Sequence, residues 1–315
     1  MNTNDSAIMS VLNARRSRRS VLKKFGLGVG AGMLGASGLG LLTQKAEAAD
    51  GPGQDAEVLN FALNLEYLEA QFYCYATTGK GIDSQGVALT GSGTQGTVVI
   101  KPTSPMVPFT NGGPIQQYAN EIAADEINHV KYLRAALMAA GVQPVAMPQI
   151  DLLNSFNTAA QAAGVVPSGG TFDPFSSETY FLVGAYIFED VGVTAYHGGA
   201  PLITNRDYLS AAAGIMGTEA YHAGVVRTLL YQMGTATQTI TAQISALRAT
   251  LDGTGTGASS DDQGVFVNNT ANLVPTDANS LVFSRTTQQV LNIVYGSASG
   301  TPGLFYPNGM NGAIH

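Results

Sequence analysis

Two glutamate–histidine pairs carry the chemistry legible in this chain, Glu126-Ile-Asn-His129 and Glu219-Ala-Tyr-His222. They use two of its four histidines; the others are His197 and His315. Each pair lies in an apolar-periodic segment that reads as a helix, and i, i+3 spacing puts both side chains on one face. Two further helical segments each carry an interior glutamate, Glu66 and Glu189. Four helices presenting Glu, Glu-x-x-His, Glu and Glu-x-x-His supply the donors of a dinuclear metal site inside a four-helix bundle. Four carboxylates and two neutral imidazoles are neutralised by two divalent ions. Without the ions the carboxylates repel and take up protons.

Glutamate is scarce, nine in the chain, and four of the nine fall at these positions. Glu189 sits in an otherwise apolar helix, where a carboxylate is costly to bury without a partner. Tyr73 follows Glu66 by seven residues and Tyr196 follows Glu189 by seven, two helical turns in each case. Each tyrosine therefore shares its glutamate's face and can support the terminal glutamate of the opposite half, as metal-ligating carboxylates require. Asp125 can hold a histidine ring; Thr218 stands at the matching place in the other half. Glu69, one turn from Glu66, is either the first-helix ligand or a supporting group. Glu121 and Asp190 read as solvated or structural, His197 as a cap, and Cys74 as a small buried apolar residue rather than a reactive thiol.

Helical periodicity places the four elements at about Asp55–Thr78, Pro114–Ala140, Ser177–His197 and Asn205–Met233. The third and fourth are joined by few residues and must be antiparallel neighbours. The link 141–175, with a short helical piece near Leu152–Ala163, is long enough to cross the bundle end to end. The expected architecture is all-α: a four-helix bundle of two helical hairpins and one long crossover, with a C-terminal extension. It comprises residues 49–235, including a Gly/Thr/Ser-rich flap at 80–112, which is either a small hairpin or an ordered flap without one. The extension, 236–315, has a fifth helix and a short one near Thr286–Tyr295, and is apolar enough to pack on the bundle or on a neighbouring subunit.

Residues 1–48 read as a twin-arginine signal peptide: Arg18-Arg19, a Gly-rich apolar stretch, then Ala46-Glu47-Ala48 before the cleavage point. Export to the periplasm or the extracellular space follows, by a route that carries folded proteins. Residues 1–48 hold seven of the 15 basic and two of the 22 acidic residues, leaving 8 basic and 20 acidic, a net −12. So acidic a chain is a poor partner for nucleic acid or, after cleavage, for an anionic membrane. A single cysteine rules out an internal disulfide framework. A homo-oligomer is left open.

The segment Leu59-Asn-Phe-Ala-Leu-Asn-Leu-Glu-Tyr-Leu-Glu-Ala-Gln-Phe-Tyr73 resembles the first helix of the desiccation-related ferritin-like proteins. The resemblance extends to Glu-Ile-Asn-His129, to Phe-Glu-Asp-Val-Gly-Val-Thr-Ala-Tyr-His197 and to the C-terminal Gln-Val-Leu-Asn-Ile-Val-Tyr-Gly296. It implies a ferritin-like fold, with Glu126 and Glu219 bridging two metals, Glu66 and His129 completing one, and Glu189 and His222 the other. The cofactors expected are two divalent ions, iron or manganese, and the substrate oxygen or peroxide in stress protection. The alternative is a non-enzymatic desiccation or envelope protein in which any metal only cross-links the bundle. An iron-storage cage fits least, because the flap and tail add bulk that a cage subunit lacks.

Overall fold

The structure, a computed structural model, describes residues 52–103, 105–255 and 261–315. The signal peptide read at 1–48 lies outside the described residues. Among the described residues seven α-helices dominate: α1 (Pro52–Thr78), α2 (Pro114–Ala139), α3 (Asn154–Ala162), α4 (Glu178–Gly199), α5 (Arg206–Gln232), α6 (Thr235–Asp252) and α7 (Thr287–Tyr295). Their starts follow local chemistry. Pro114 occupies the first turn of α2. The Ser177 side chain accepts from Tyr180 N, and Asn205 Oδ1 accepts from Asp207 N and Tyr208 N. Thr286 and Gln289 close a reciprocal capping box on α7.

α1, α2, α4 and α5 form the bundle. The N-terminal end of α1 (Asp55, Leu59) meets the C-terminal end of α2 (Leu137, Ala140) and the start of α5 (Thr204, Tyr208). Asp55 accepts from the backbone N–H groups of Thr204 and Asn205. α1 packs chiefly on α2, and α4 on α5. Two antiparallel hairpins joined by the crossover through α3 result.

The four helices are not equivalent. α1 is buried on all sides from Val58 to Cys74, and α4 from Phe181 to Thr194, whereas α2 and α5 expose their outer faces. A helix apolar all round needs cover on its outer side too. For α1 the flap and the C-terminus give it: Val107 N bonds the Ala76 carbonyl, Tyr306 Oη donates to the Asn64 carbonyl, and Asn64 donates to the Asn311 carbonyl. For α4, α6 and α7 give it. The extension packs on the bundle of its own chain.

Of the two alternatives for 80–112, the described residues form an ordered flap and no hairpin. β1 (Val98–Val99) instead pairs in parallel with β2 (Ile150–Asp151), Val98 opposite Ile150. The flap is thus pinned to the crossover, a long-range pairing that β-branched runs alone do not specify. A short antiparallel pair, β3 (Phe266–Val267) and β4 (Thr270–Ala271), lies in the extension.

Candidate metal centre

The middle turns of the four bundle helices bring the six side chains together. Glu66 comes from α1, Glu126 and His129 from α2, Glu189 from α4, and Glu219 and His222 from α5. All six are buried, the most exposed being His129 at 9%. His129 Nδ1 lies 3.2 Å from Glu66 Oε2, 3.3 Å from Glu126 Oε2 and 3.6 Å from Glu219 Oε1. His222 Nδ1 lies 3.0 Å from Glu126 Oε1 and 3.6 Å from Glu189 Oε2. Glu126 thus offers one oxygen to each histidine. Two donor groups converge, Glu66–Glu126–His129–Glu219 and Glu189–Glu219–His222, each with one atom per residue within 4.8 Å of the others. Glu219 belongs to both.

These donors do not satisfy one another. Among the described residues, eight buried side-chain polar atoms have no hydrogen-bond partner. Seven are here: Glu66 Oε2, Glu69 Oε2, Glu126 Oε1, Glu189 Oε2, both oxygens of Glu219 and His222 Nδ1. Native interiors leave few such atoms, and a bound cation is one partner that would satisfy a cluster of them. Donor atoms about 3 Å apart are also what an octahedral shell with bonds of about 2.1 Å produces. The residues fit a metal.

Electrostatics agree. Burial and the Glu126 charge raise Glu69 and Glu219 well above the usual carboxylate range. Burial lifts Glu66 to about 7, against the pull of His129, and Glu189 to about 8, against that of His222. Burial also opposes ionisation of Glu126, but the two histidines beside it hold it down at about 2. Burial alone would depress the imidazoles. Glu66 and Glu126 override it and lift His129 to about 11; Glu189 and Glu126 lift His222 to about 9. Without metal, protons occupy the positions that cations would neutralise.

The supporting groups form a crossed pair. Tyr73 donates to Glu189 Oε1 and Tyr196 to Glu66 Oε1, each tyrosine holding the glutamate of the other half. Asp125 Oδ2 lies 3.2 Å from His222 Nε2, which orients the ring with Nδ1 inward. The symmetry breaks here, since Thr218 bonds the Gly214 carbonyl in its own helix. Around the centre the Asp125 side chain is 38% exposed, that of His129 11% and that of His222 6%.

Of the first-helix alternatives, Glu66 lies beside His129, while Glu69 belongs to neither convergent group. Asp190 is buried and paired with Arg227 and Arg248. His197 does not end its helix, which runs on to Gly199; its Nδ1 meets the Phe283 carbonyl at 3.1 Å. Cys74 is buried. Sequence reasoning missed Gly192. A Cβ there would lie 2.4 Å from Glu219 Oε2, so any larger residue would push that carboxylate from its place in the centre. Its signal was present: a helix-interior glycine three residues after Glu189, on the same face.

No solved structure matches the chain. It is similar to a desiccation-related protein, PCC13-62, of Craterostigma plantagineum, 29% identical over 84% of this chain and 86% of that one. It is also similar to a ferritin-like catalase, Nec2, of Nesocodon mauritianus, 29% identical over 82% of this chain and 84% of that one. The family described as ferritin-like domain matches residues 54–232, from the first turn of α1 to the end of α5. The four helices that carry the centre are thus the matched segment itself, and the chain belongs to the ferritin-like domain family.

Proposed function

We propose that the six side chains hold two ions of iron or manganese and that the loaded protein disproportionates hydrogen peroxide. The observation that carries this is Glu126, with one oxygen toward each histidine Nδ1. Glu126 and Glu219 would be shared by the two ions, with Glu66 and His129 holding one and Glu189 and His222 the other. Bound there, a pair of ions of variable valence supplies a two-electron store, accepting two electrons from one peroxide, released as dioxygen, and returning them to a second, released as water. Tyr73 and Tyr196 keep Glu189 and Glu66 oriented, and Asp125 fixes the His222 tautomer. The buried faces of α1 and α4 keep bulk water from the glutamate side. In this reading a small neutral molecule would enter at the His222–Asp125 edge, where the Asp125 side chain is 38% exposed. Disproportionation needs no external reductant, which suits so closed a centre, and the similarity to a protein named a catalase supports it.

The similarity to a desiccation-related protein supports a stress role and favours a second reading, in which the ions only cross-link the bundle. The Arg18-Arg19 segment supports export of the folded protein to the periplasm or beyond. Protein recovered from its own export route should carry about two metal ions per chain and evolve oxygen from peroxide. Glu126→Gln should lower occupancy sharply, and full occupancy in that variant would remove the bridging role. Two metals without oxygen evolution would favour the cross-linking reading, and Fe(II)-dependent oxygen uptake would mean ferroxidase action instead.

A further inference from the structure

A cavity of about 30 Å³ lies beside Tyr196, between α1, α4, α5 and α7. Most of its wall is apolar, with Leu59, Ala62 and Leu65 from α1, Ile203 from the turn before α5, and Ala212 from α5. Three polar side chains also line it, Tyr196, Arg285 and Thr287. Tyr196 donates its hydroxyl to Glu66, and Arg285 donates to Asp252, Thr194 and Asp262. These two therefore offer the cavity only a ring and a hydrocarbon stem. Thr287 is partly exposed, as are Ala195 and Gly199, which complete the lining on the solvent side. α2, which carries Asp125, contributes nothing to the cavity. Tyr196 is thus a partition: its hydroxyl holds a glutamate of the centre, and its ring closes the cavity.

The volume is roughly twice what one water needs, but a buried water also wants about two to four polar partners. Behind the Thr287 rim this lining offers none. Hydrogen peroxide, with a hydroxyl at each end, is excluded more strongly still, because an unpaired buried hydroxyl is costly. Dioxygen has no such groups to satisfy and moves from water into apolar surroundings favourably. We propose, on the peroxide reading above, that this cavity receives dioxygen, the apolar product, and passes it outward, while peroxide uses the polar edge at Asp125. The passage makes and breaks no bond, and product leaves without crossing the path of incoming peroxide. A second apolar cavity of about 30 Å³, lined by Ala160, Ile187 and Phe305 among others, touches neither Tyr196 nor any of the six ligands and serves as a control.

The test uses full-length, metal-loaded protein. Crystals held under xenon, an apolar gas that needs only a void, should show an atom against Tyr196 and Leu65. Ala62→Val and Ala212→Val, on different helices, should each exclude it. At wild-type metal content both variants should show a several-fold lower kcat for oxygen evolution with kcat/KM unchanged, because release slows while entry and chemistry do not. Ala160→Val, which fills the second cavity, should keep the wild-type kcat. Absence of xenon from the wild-type cavity would overturn the proposal, as would an unchanged kcat in variants that exclude xenon. A kcat/KM that falls as far as kcat would overturn it too, by making the cavity a way in. Wild type that carries metal but evolves no oxygen would instead remove the peroxide reading, whatever xenon shows, and the exit with it.

Discussion

Glu189 and Asp190 are neighbours on α4, both buried, and they face two different solutions to the same electrostatic problem. Asp190 meets Arg227 at 2.7 Å and Arg248 at 3.0 Å. The network continues through Asp262 to Arg285 and from there to Asp252, three arginines against three aspartates. Thr194 accepts from Arg285, and Tyr186 lies under the Arg227 and Arg248 guanidinium groups. Glu189 faces four more glutamates and two histidines, with unpaired oxygens throughout. One side of the helix carries its own cations and is finished on folding. The other is complete only when cations arrive. Buried charge must be paired, and whether the partner is covalently part of the chain separates a structural network from an exchangeable site.

The network side should give the largest effect. Removing one partner of a buried pair leaves the other charge unmatched, typically at about 3–5 kcal/mol. Arg248→Met strips a partner from both Asp190 and Asp262. It should lower unfolding free energy by about that amount, equally with metal and without, in chemical denaturation. A loss that added metal repairs would merge the two regions into one and break the comparison.

The metal side should respond to pH where the network does not. Glu66 and Glu189 hold their protons to about 7 and about 8 in the folded metal-free chain, against 4.5 when unfolded. As pH rises from 4.5 through 8, the folded state gives up protons that the unfolded state has already lost, so stability falls. His129 and His222, raised from 6.5 to about 11 and about 9, extend the fall in the same direction. Glu126, lowered to about 2, acts oppositely but only below 4.5. The melting temperature of metal-free protein should drop from pH 5 to 9, by on the order of 5 °C for a chain of this size. Bound Fe(II) or Mn(II) should offset more of that drop as pH rises, because metal and protons compete. A flat profile without metal would contradict the proton-for-metal picture.

The two regions also differed in how far they could be read. The centre was legible because metal ligation uses rare residue types at fixed helical spacing: Glu-x-x-His twice, and Glu–Tyr seven apart twice. The crossed pairing of Tyr73 with Glu189 and Tyr196 with Glu66 follows from that repeat once the helices are antiparallel. The arginine network was not legible. Arg227, Arg248 and Arg285 come from three distant segments with no shared spacing, and only the packing of α6 and the tail onto α4 brings them together. Gly192 was hidden for a related reason: the carboxylate its missing side chain makes room for is Glu219, which belongs to another helix. The choice between hairpin and ordered flap stayed open in the sequence because the partner strand, Ile150–Asp151, lies about fifty residues away.

The same small chemical change can be made on both faces of α4. Tyr73 donates to Glu189 on the metal side. On the other side, Tyr186 Oη contacts Ser245 Oγ at 2.8 Å, accepts from Arg227 Nη1 at 3.3 Å and donates to the Gln263 carbonyl at 3.0 Å. Tyr186→Phe removes hydrogen bonds between permanent partners and should lower stability by about 1 kcal/mol with or without metal. Tyr73→Phe removes a group whose work is to aim a carboxylate at an ion. It should weaken metal affinity about tenfold, the lower end for such supports, and Tyr196→Phe should match it through the pseudo-twofold relation. Titration with Mn(II) beside denaturant melts of all three variants decides the matter. If Tyr73→Phe changes only the melts and Tyr186→Phe only the affinity, the division of labour across α4 is the wrong way round.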